Sequence, residues 1–292
     1  DSYEGLIKSV VVNGAAAEAN LDKAYGKITQ QKHGGGTGAG YGEWTLTDNG
    51  VYSVSPLSDA GSYTLGVMGK AKNFVLSARI RGGKGKEVGV GLEYSGKNLM
   101  LIKVSGNNLV QFYTWQGEWL AASGINWGDG SADDFVYTVV RRDERMYAFI
   151  NGTLVGNFYG QLNANHDLAT MGETQVGLLL RGKAGTVTFS DYSFSTAAAD
   201  IDAVVTAPVE VGSWSDSNGT RTVTGVTDGK AKLGDSVVIT VTPLENKIVK
   251  VFANGTALSG TANGNSYVYT YKVNSVAKIT FTYEVTNLYV VS

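Results

Sequence analysis

Residues 88–115 read VGVGLEYSGKNLMLIKVSGNNLVQFYTW. Three runs stand out in it: Val88–Tyr94, Leu99–Val104 and Leu109–Trp115. Each alternates along its length, and a period of two marks a strand whose faces differ. Between the second and third runs lies Gly106-Asn107-Asn108, and Gln116-Gly117 follows the third. Glycine and asparagine tolerate the backbone angles of tight turns, so these runs read as paired strands.

Outward from this stretch the pattern repeats. In Phe74–Arg81, Phe74, Leu76, Ala78 and Ile80 share one face, while Val75, Ser77, Arg79 and Arg81 share the other. Phe135–Arg142 and Arg145–Asn151 form a further pair, and Gln175–Arg181 with Thr186–Phe194 closes the series. Asn151-Gly152 suits a type I′ hairpin, which needs positive φ at both central positions. Many short strands at this spacing predict an all-β sandwich or barrel. No helix longer than two turns is expected. The best helical candidate is the alanine-bearing stretch Ala15–Tyr25.

The pattern breaks at Thr196–Asp200, where small residues lack any periodicity, and Pro208 marks a new start. Strand signals resume in Asp235–Thr242, Ile248–Ala253, Tyr267–Val273 and Lys278–Tyr283, with Asn254-Gly255 and Asn263-Gly264 as turns. The expected layout is a large β-sandwich over 1–197, a linker over 198–207 and a small Ig-like sandwich over 208–292. Ile7–Ala15 (IKSVVVNGA) echoes IVKVFANGTA at 248–257, which fits two hairpins sharing one turn type.

Composition narrows the function. Hydrophobic residues are 43% of the 292, enough for a packed core, whereas charged residues are only 17%. The net charge is -2 with no basic block, so no nucleic-acid partner is expected. No run approaches the roughly 20 apolar residues that span a bilayer, so no membrane insertion is expected. Cysteine is absent, which removes disulfides, thiolate metal sites and cysteine nucleophiles together. The chain begins and ends in mid-pattern, so a larger parent protein is expected. A disulfide-free, strand-rich chain of this kind suits a secreted or surface-attached bacterial protein.

The stretch Trp44–Phe194 resembles the concanavalin A-like lectin/glucanase superfamily, in its laminin-G-like and carbohydrate-binding-module branch. The carriers are WTLTDNGVYSV, NFVLSARIR, the 88–115 segment, FVYTVVRRDERMYAFINGTLVG and QVGLLLRGKAGTVTFSDYSF. This implies a jelly-roll β-sandwich. Val209–Glu284 resembles the divergent internalin-B-type repeat of bacterial surface proteins, through GDSVVITVTP, VKVFANGTAL, NSYVYTYKV and KITFTYE. Phe252 and Ala253 stand where that family often has tryptophan before the turn. The second resemblance implies a spacer or stalk.

The first superfamily includes retaining glycosidases with Glu-x-Asp-x-x-Glu or Glu-x-Asp-x-Glu on one strand. Retaining chemistry needs two carboxyl groups about 5–5.5 Å apart. Nothing here matches: Glu93 stands alone between Leu92 and Tyr94, and Asp133-Asp134 are adjacent. No enzyme is expected. His33 opens the loop HGGGTGAG and His166 lies in NANHD, neither near a nucleophile elbow.

Asn126, Asp129, Asp133 and Asp134 fall in one loop, NWGDGSADD. Calcium takes six to eight oxygen ligands, and this loop offers several, as do strand-connecting loops in the related fold. A solvated acidic turn is the competing account. No other cofactor is expected. Three Asn-Gly-Thr triplets, at Asn151, Asn218 and Asn254, match the glycosylation pattern, and each reads as a hairpin turn instead.

Sugar recognition needs rings that stack on C–H faces and polar groups that meet hydroxyls. Leu109, Gln111, Tyr113 and Trp115 share one face; Gly89, Gly91 and Glu93 share another; Ser77, Arg79 and Arg81 form a third row. Side by side, these rows make a glycine-floored groove, with Tyr113 and Trp115 as walls and Arg79, Glu93 and Gln111 as hydrogen-bonding groups. Trp127 adds a loop platform. The competing account is the solvated side of a sheet. The expected function is a non-catalytic, lectin-like or adhesin module that binds a glycan or host ligand beside neighbouring modules. The runner-up is a structural spacer or protein-binding stalk.

Overall fold

The computed structural model describes residues 29–33, 44–47, 50–55, 63–84, 86–94, 98–104, 109–115, 119–126, 133–163, 166–181 and 185–288. The helix candidate Ala15–Tyr25, the echo segment Ile7–Ala15, loop residues 34–40, Trp127 and Asp129 lie outside them. The chain divides into two compact units, Asp1–Ile201 and Asp202–Ser292.

The first unit contains β1 (Thr29–His33), β2 (Trp44–Leu46), β3 (Tyr52–Val54), β4 (Tyr63–Ala71), β5 (Phe74–Arg81), β6 (Glu87–Tyr94), β7 (Asn98–Val104) and β8 (Leu109–Trp115). It continues with β9 (Trp119–Asn126), β10 (Asp134–Arg142), β11 (Arg145–Ile150), β12 (Thr153–Tyr159), β13 (Gln161–Asn163), β14 (His166–Asp167), β15 (Thr174–Arg181) and β16 (Val187–Ser195). Among the described residues, one seven-stranded sheet runs β1-β4-β15-β6-β7-β8-β9. The other runs β12-β11-β10-β5-β16-β3-β2, and β13 pairs β14 in a small hairpin.

Alternation explains how the two sheets face each other. Val88, Val90, Leu92, Val110 and Phe112 point inward from the first sheet. Phe74, Leu76, Ala78, Ile80, Phe135, Tyr137 and Val139 point inward from the second. Late strands insert between early ones: β15 lies between β4 and β6, and β16 between β5 and β3. The result is an all-β, jelly-roll-type sandwich of two seven-stranded sheets.

Close approach requires glycine at two points. A Cβ on Gly69 would lie 2.4 Å from the Phe194 ring, and one on Gly177 would lie 2.4 Å from the Gly66 carbonyl oxygen, beside a bulge. One inward position is charged. Arg141 is fully buried, and its guanidinium donates to the carbonyls of Gly172 (3.0 Å), Leu168 (3.3 Å) and Met171. Three carbonyls of one connection thereby replace the water a buried cation loses.

Where composition suggests a linker over 198–207, the chain forms helix α1 (Ala198–Val204) and then enters β17 (Thr206–Val211). Alanine is the strongest helix former, and Asp200 in the first turn suits the helix dipole.

The second unit continues with β18 (Gly219–Thr224), β19 (Lys230–Lys232), β20 (Ser236–Pro243), β21 (Lys247–Ala253), β22 (Thr256–Ala257), β23 (Gly260–Asn263), β24 (Ser266–Lys272) and β25 (Ile279–Asn287). Among the described residues, its sheets run β19-β17-β25-β21-β22 and β18-β20-β24-β23. Strands β17 and β25 pair in parallel. The sheets face each other across Val237, Ile239, Val241, Val251 and Phe281. Tyr269, on one sheet, donates its hydroxyl to the Val249 carbonyl on the other, at 3.0 Å.

Two of the three Asn-Gly-Thr sites are hairpins of the expected kind. Asn151 and Gly152 have φ of 49° and 78°, and Asn254 and Gly255 have 48° and 79°. Each asparagine also accepts a neighbouring strand's amide through Oδ1, from Val136 at 2.9 Å and Thr280 at 2.8 Å. The third differs from expectation. Asn218 ends a 3-10 turn capped by Ser215, and Gly219 opens β18.

Candidate functional site

The register places most of the proposed groove on one sheet. Gly89 pairs with Lys103, which pairs with Gln111. Gly91, Leu101 and Tyr113 form the next row, and Glu93, Leu99, Trp115 and Trp119 the one after. On the other flank of β6, Gln175 pairs with Glu93 and Gly177 with Gly91. These rows alternate with those of Val90 and Leu92, so they belong to the face turned away from the sandwich core. Glu93 and Gln111 are half-buried, and Gly89 and Gly91 are buried.

One side of this face is closed. Leu65 and Leu179, in the row that continues through Gly89, are fully buried although they point away from the core. At one end, Arg181 donates to Glu87 at 2.5 Å. Glu87 and Glu93 are both on β6 and share its face. Six residues of strand separate them by roughly 20 Å, beyond the roughly 5–9.5 Å of glycosidase carboxyl pairs.

Arg79 does not join this face. It lies on β5, in the opposite sheet, and its side chain points outward there. It grips Asp134 with two hydrogen bonds, Nε to Oδ1 at 2.7 Å and Nη2 to Oδ2 at 2.8 Å. Arg81 adds a third, Nε to Oδ2 at 2.9 Å. Of the three strand faces expected side by side, those of β6 and β8 share this face with Lys103, Leu101 and Leu99 of β7 between them, and Ser77, Arg79 and Arg81 lie on the other sheet.

The same contacts correct the calcium reading at Asp134. Both of its oxygens accept from guanidinium groups, and the hydrogen bond from Arg79, with a smaller one from Arg81, outweighs burial and holds its carboxyl down to about 2. The guanidinium groups of Arg79 and Arg81 occupy both of its oxygens and repel a further cation. Asp133 uses Oδ1 to accept the Lys84 amide at 2.9 Å and its carbonyl to accept the Gly82 amide at 3.1 Å, which pins the β5–β6 turn. Asn126 ends β9 as the ladder partner of Leu109, in the sheet opposite that of Asp134. Among the described residues, no three His, Cys, Asp or Glu gather to hold a metal.

The remaining singled-out residues have local partners. Trp44 donates Nε1 to Thr64 Oγ1 at 2.8 Å and stacks on Phe189 at 5.2 Å. Trp214 packs against Tyr283 at 5.3 Å, with Arg221 over both rings. His33 ends β1, and His166 opens β14. Among the described residues, no helix is long and apolar enough to cross a membrane.

No family model matches the chain, and no curated protein matches it. Among solved structures, the carbohydrate-binding module CBM66 from Bacillus subtilis aligns at 16% identity and a TM-score of 0.42, over 59% of this chain and 98% of that one. The β-glucanase of Bacillus licheniformis aligns at 13% identity and 0.39, over 56% and 89%. An endo-1,3-β-glucanase from Streptomyces sioyaensis aligns at 10% and 0.36, over 59% and 91%.

Proposed function

We propose that the chain is a non-catalytic carbohydrate-binding module joined to a spacer-like, Ig-like repeat, within a secreted or surface-attached bacterial protein. The observation that carries this reading is the register that puts Glu93, Gln111, Tyr113 and Trp115 on one face, with Gly89 and Gly91 on β6 and Lys103, Leu101 and Leu99 of β7 between β6 and β8. A glycine floor lets a flat ring approach the backbone, while carboxylate and amide groups meet its hydroxyls. Aromatic residues at the margin supply stacking surface at low entropic cost. The wide separation of Glu87 and Glu93, and the salt bridge of Glu87 to Arg181, support binding without bond cleavage.

The burial of Leu65 and Leu179 favours a second reading, in which this face serves protein contact or simple support. A glycan array decides between them, run on the whole chain with and without calcium, and on Trp115→Ala and Glu93→Gln. Binding that both variants weaken supports the glycan reading. Silence across plant, host and microbial glycans sinks it and favours the stalk. Calcium-dependent binding would restore the 126–134 loop to the site.

A further inference from the structure

The most exposed large hydrophobic side chain of the described residues lies on the other sheet from that face. Tyr159 ends β12, the edge strand of the opposite sheet, and is 64% exposed. Its strand packs inward through Val155 and through Phe158, whose ring lies 6.0 Å from that of Phe112. Asn157 and Tyr159 alternate with Phe158, past a bulge at Val155, and are exposed.

The ring is held in place. Arg145 is the ladder partner of Tyr159, and its guanidinium carbon sits 5.4 Å from the ring centroid. The guanidinium therefore covers one side of the ring. The backbone beyond is tied twice. Gly160, at φ of 72°, donates to the Glu144 carbonyl at 2.9 Å and accepts from the Leu168 amide at 3.1 Å. A ring already immobilised loses little freedom when a ligand lies on it.

Its surroundings are polar and balanced in charge. Asn157 stands two residues before Tyr159, on the same side of the strand, about 7 Å away. Arg142 and Arg145 are the two ends of the β10–β11 turn, and Asp143 and Glu144 are its middle. Asp143 is held by Asn73, which accepts its amide at 2.8 Å and donates to its Oδ1 at 3.2 Å. Two cations against two anions give no reason to prefer a charged ligand. A lone ring among polar groups is also too small for a stable protein interface, which buries well over about 1,000 Å².

We propose that Tyr159 is the platform of a second carbohydrate subsite, separate from the Glu93–Trp115 face, that takes the C–H face of a neutral pyranose. Stacking falls to the open side of the ring. Hydrogen bonds to sugar hydroxyls fall to Asn157 and to the guanidinium edge of Arg145.

The test uses the full chain and a panel of immobilised neutral oligosaccharides: β-glucan, mannan, xylan, galactan and fructan. Wild type is compared with Tyr159→Ala, Tyr159→Phe, Asn157→Ala and Trp115→Ala, and each variant's melting temperature is measured. Tyr159→Ala is expected to weaken at least one interaction by about tenfold, the scale of losing one stacked ring. Tyr159→Phe is expected to stay within about twofold of wild type, because the ring and not its hydroxyl is the platform. The exposed position leaves melting unchanged, which separates lost binding from lost folding. If Trp115→Ala loses binding while Tyr159→Ala keeps it, the subsite is overturned and the first face stands. The reverse result keeps the subsite and removes the face. A wild-type chain that binds nothing on the panel overturns both.

Discussion

The two sandwiches handle polar groups in their interiors differently. In the first unit, Arg141 is fully buried and caged by three carbonyls, of Leu168, Met171 and Gly172. In the second, Arg221 is half-buried. It lies 5.8 Å from the Trp214 ring centroid and 5.0 Å from that of Tyr283, and donates to the Gly212 carbonyl at 2.6 Å. The tyrosines reverse the pattern. Tyr137, in the first core, has a buried hydroxyl with no hydrogen-bond partner among the described residues, and burial pushes its phenol well above the ordinary range. Tyr269, in the second core, donates to Val249 across the sheets. Tyr283 of the second unit also has a buried hydroxyl with no hydrogen-bond partner among the described residues, so the units differ in the polar contacts of Tyr269 and Arg221 that join the second unit's sheets.

The largest effect belongs to the carbonyl cage. Arg141→Met leaves the buried carbonyls of Leu168 and Met171 and the part-buried one of Gly172 without their donor, and is expected to lower stability by about 2–5 kcal/mol, at about 1–3 kcal/mol for each buried acceptor left unmet. Urea unfolding of the whole chain measures it. A loss under about 1 kcal/mol would mean that water takes over the carbonyls, and the cage would then be no more than a surface contact. Arg221→Ala removes one hydrogen bond and two ring contacts at a half-wet site, for an expected loss of about 1–2 kcal/mol. Equal losses at the two arginines would break the contrast.

The tyrosines sharpen it with a change of sign. Tyr269→Phe is expected to lose about 1 kcal/mol by leaving the Val249 carbonyl short of a donor. Tyr137→Phe is expected to be neutral or to gain up to about 1 kcal/mol, since it deletes a desolvated hydroxyl that bonds to nothing. Parallel melts of the two variants decide the matter. Two losses of similar size would show that Tyr137 has a partner in solution.

Much of this was legible in the sequence, and the rest fails for definable reasons. Strand β5 alternates cleanly and β6 and β8 alternate in residue type, so their positions and inward faces could be read. Strand β4 could not, because Gly66 and Gly69 interrupt its pattern; these glycines answer to Gly177 and Phe194, more than 100 residues away. Alternation also says which residues share a strand face, but not which sheet the strand joins. Arg79 and Gln111 look equivalent by parity, yet antiparallel insertion of β15 and β16 sends them to different sheets. Helix α1 is too short for a helical period to emerge. The dipeptide Asn-Gly marks two hairpins and misleads at Asn218, where Ser215 accepts the Ser217 amide and starts a 3-10 turn. Arg141 left a signal that was passed over. It shares parity with Phe135, Tyr137 and Val139, so an inward-pointing charge was already written into β10. Tyr159 left none, since strand residues cannot reveal which edge of which sheet will be bare.

The smallest effect belongs to the arginines that are neither caged nor stacked. Arg79 and Arg81 hold Asp134 at the surface, where its side chain is 41% exposed. The folded carboxyl titrates at about 2, below the roughly 3.9 of an unfolded chain. Because the folded value is depressed, the stabilisation is complete above about pH 4 and drains away as pH falls toward 2. Exposure and salt screen the contact, so its contribution is expected to be under about 1 kcal/mol. Asp134→Asn should flatten stability across pH 4 to 2 relative to wild type, and added salt should shrink the difference at pH 6. A slope that survives in Asp134→Asn would assign the acid sensitivity to other carboxylates. A loss as large as that of Arg141→Met would put the Asp134 cluster on a par with the carbonyl cage in the first unit's polar stability.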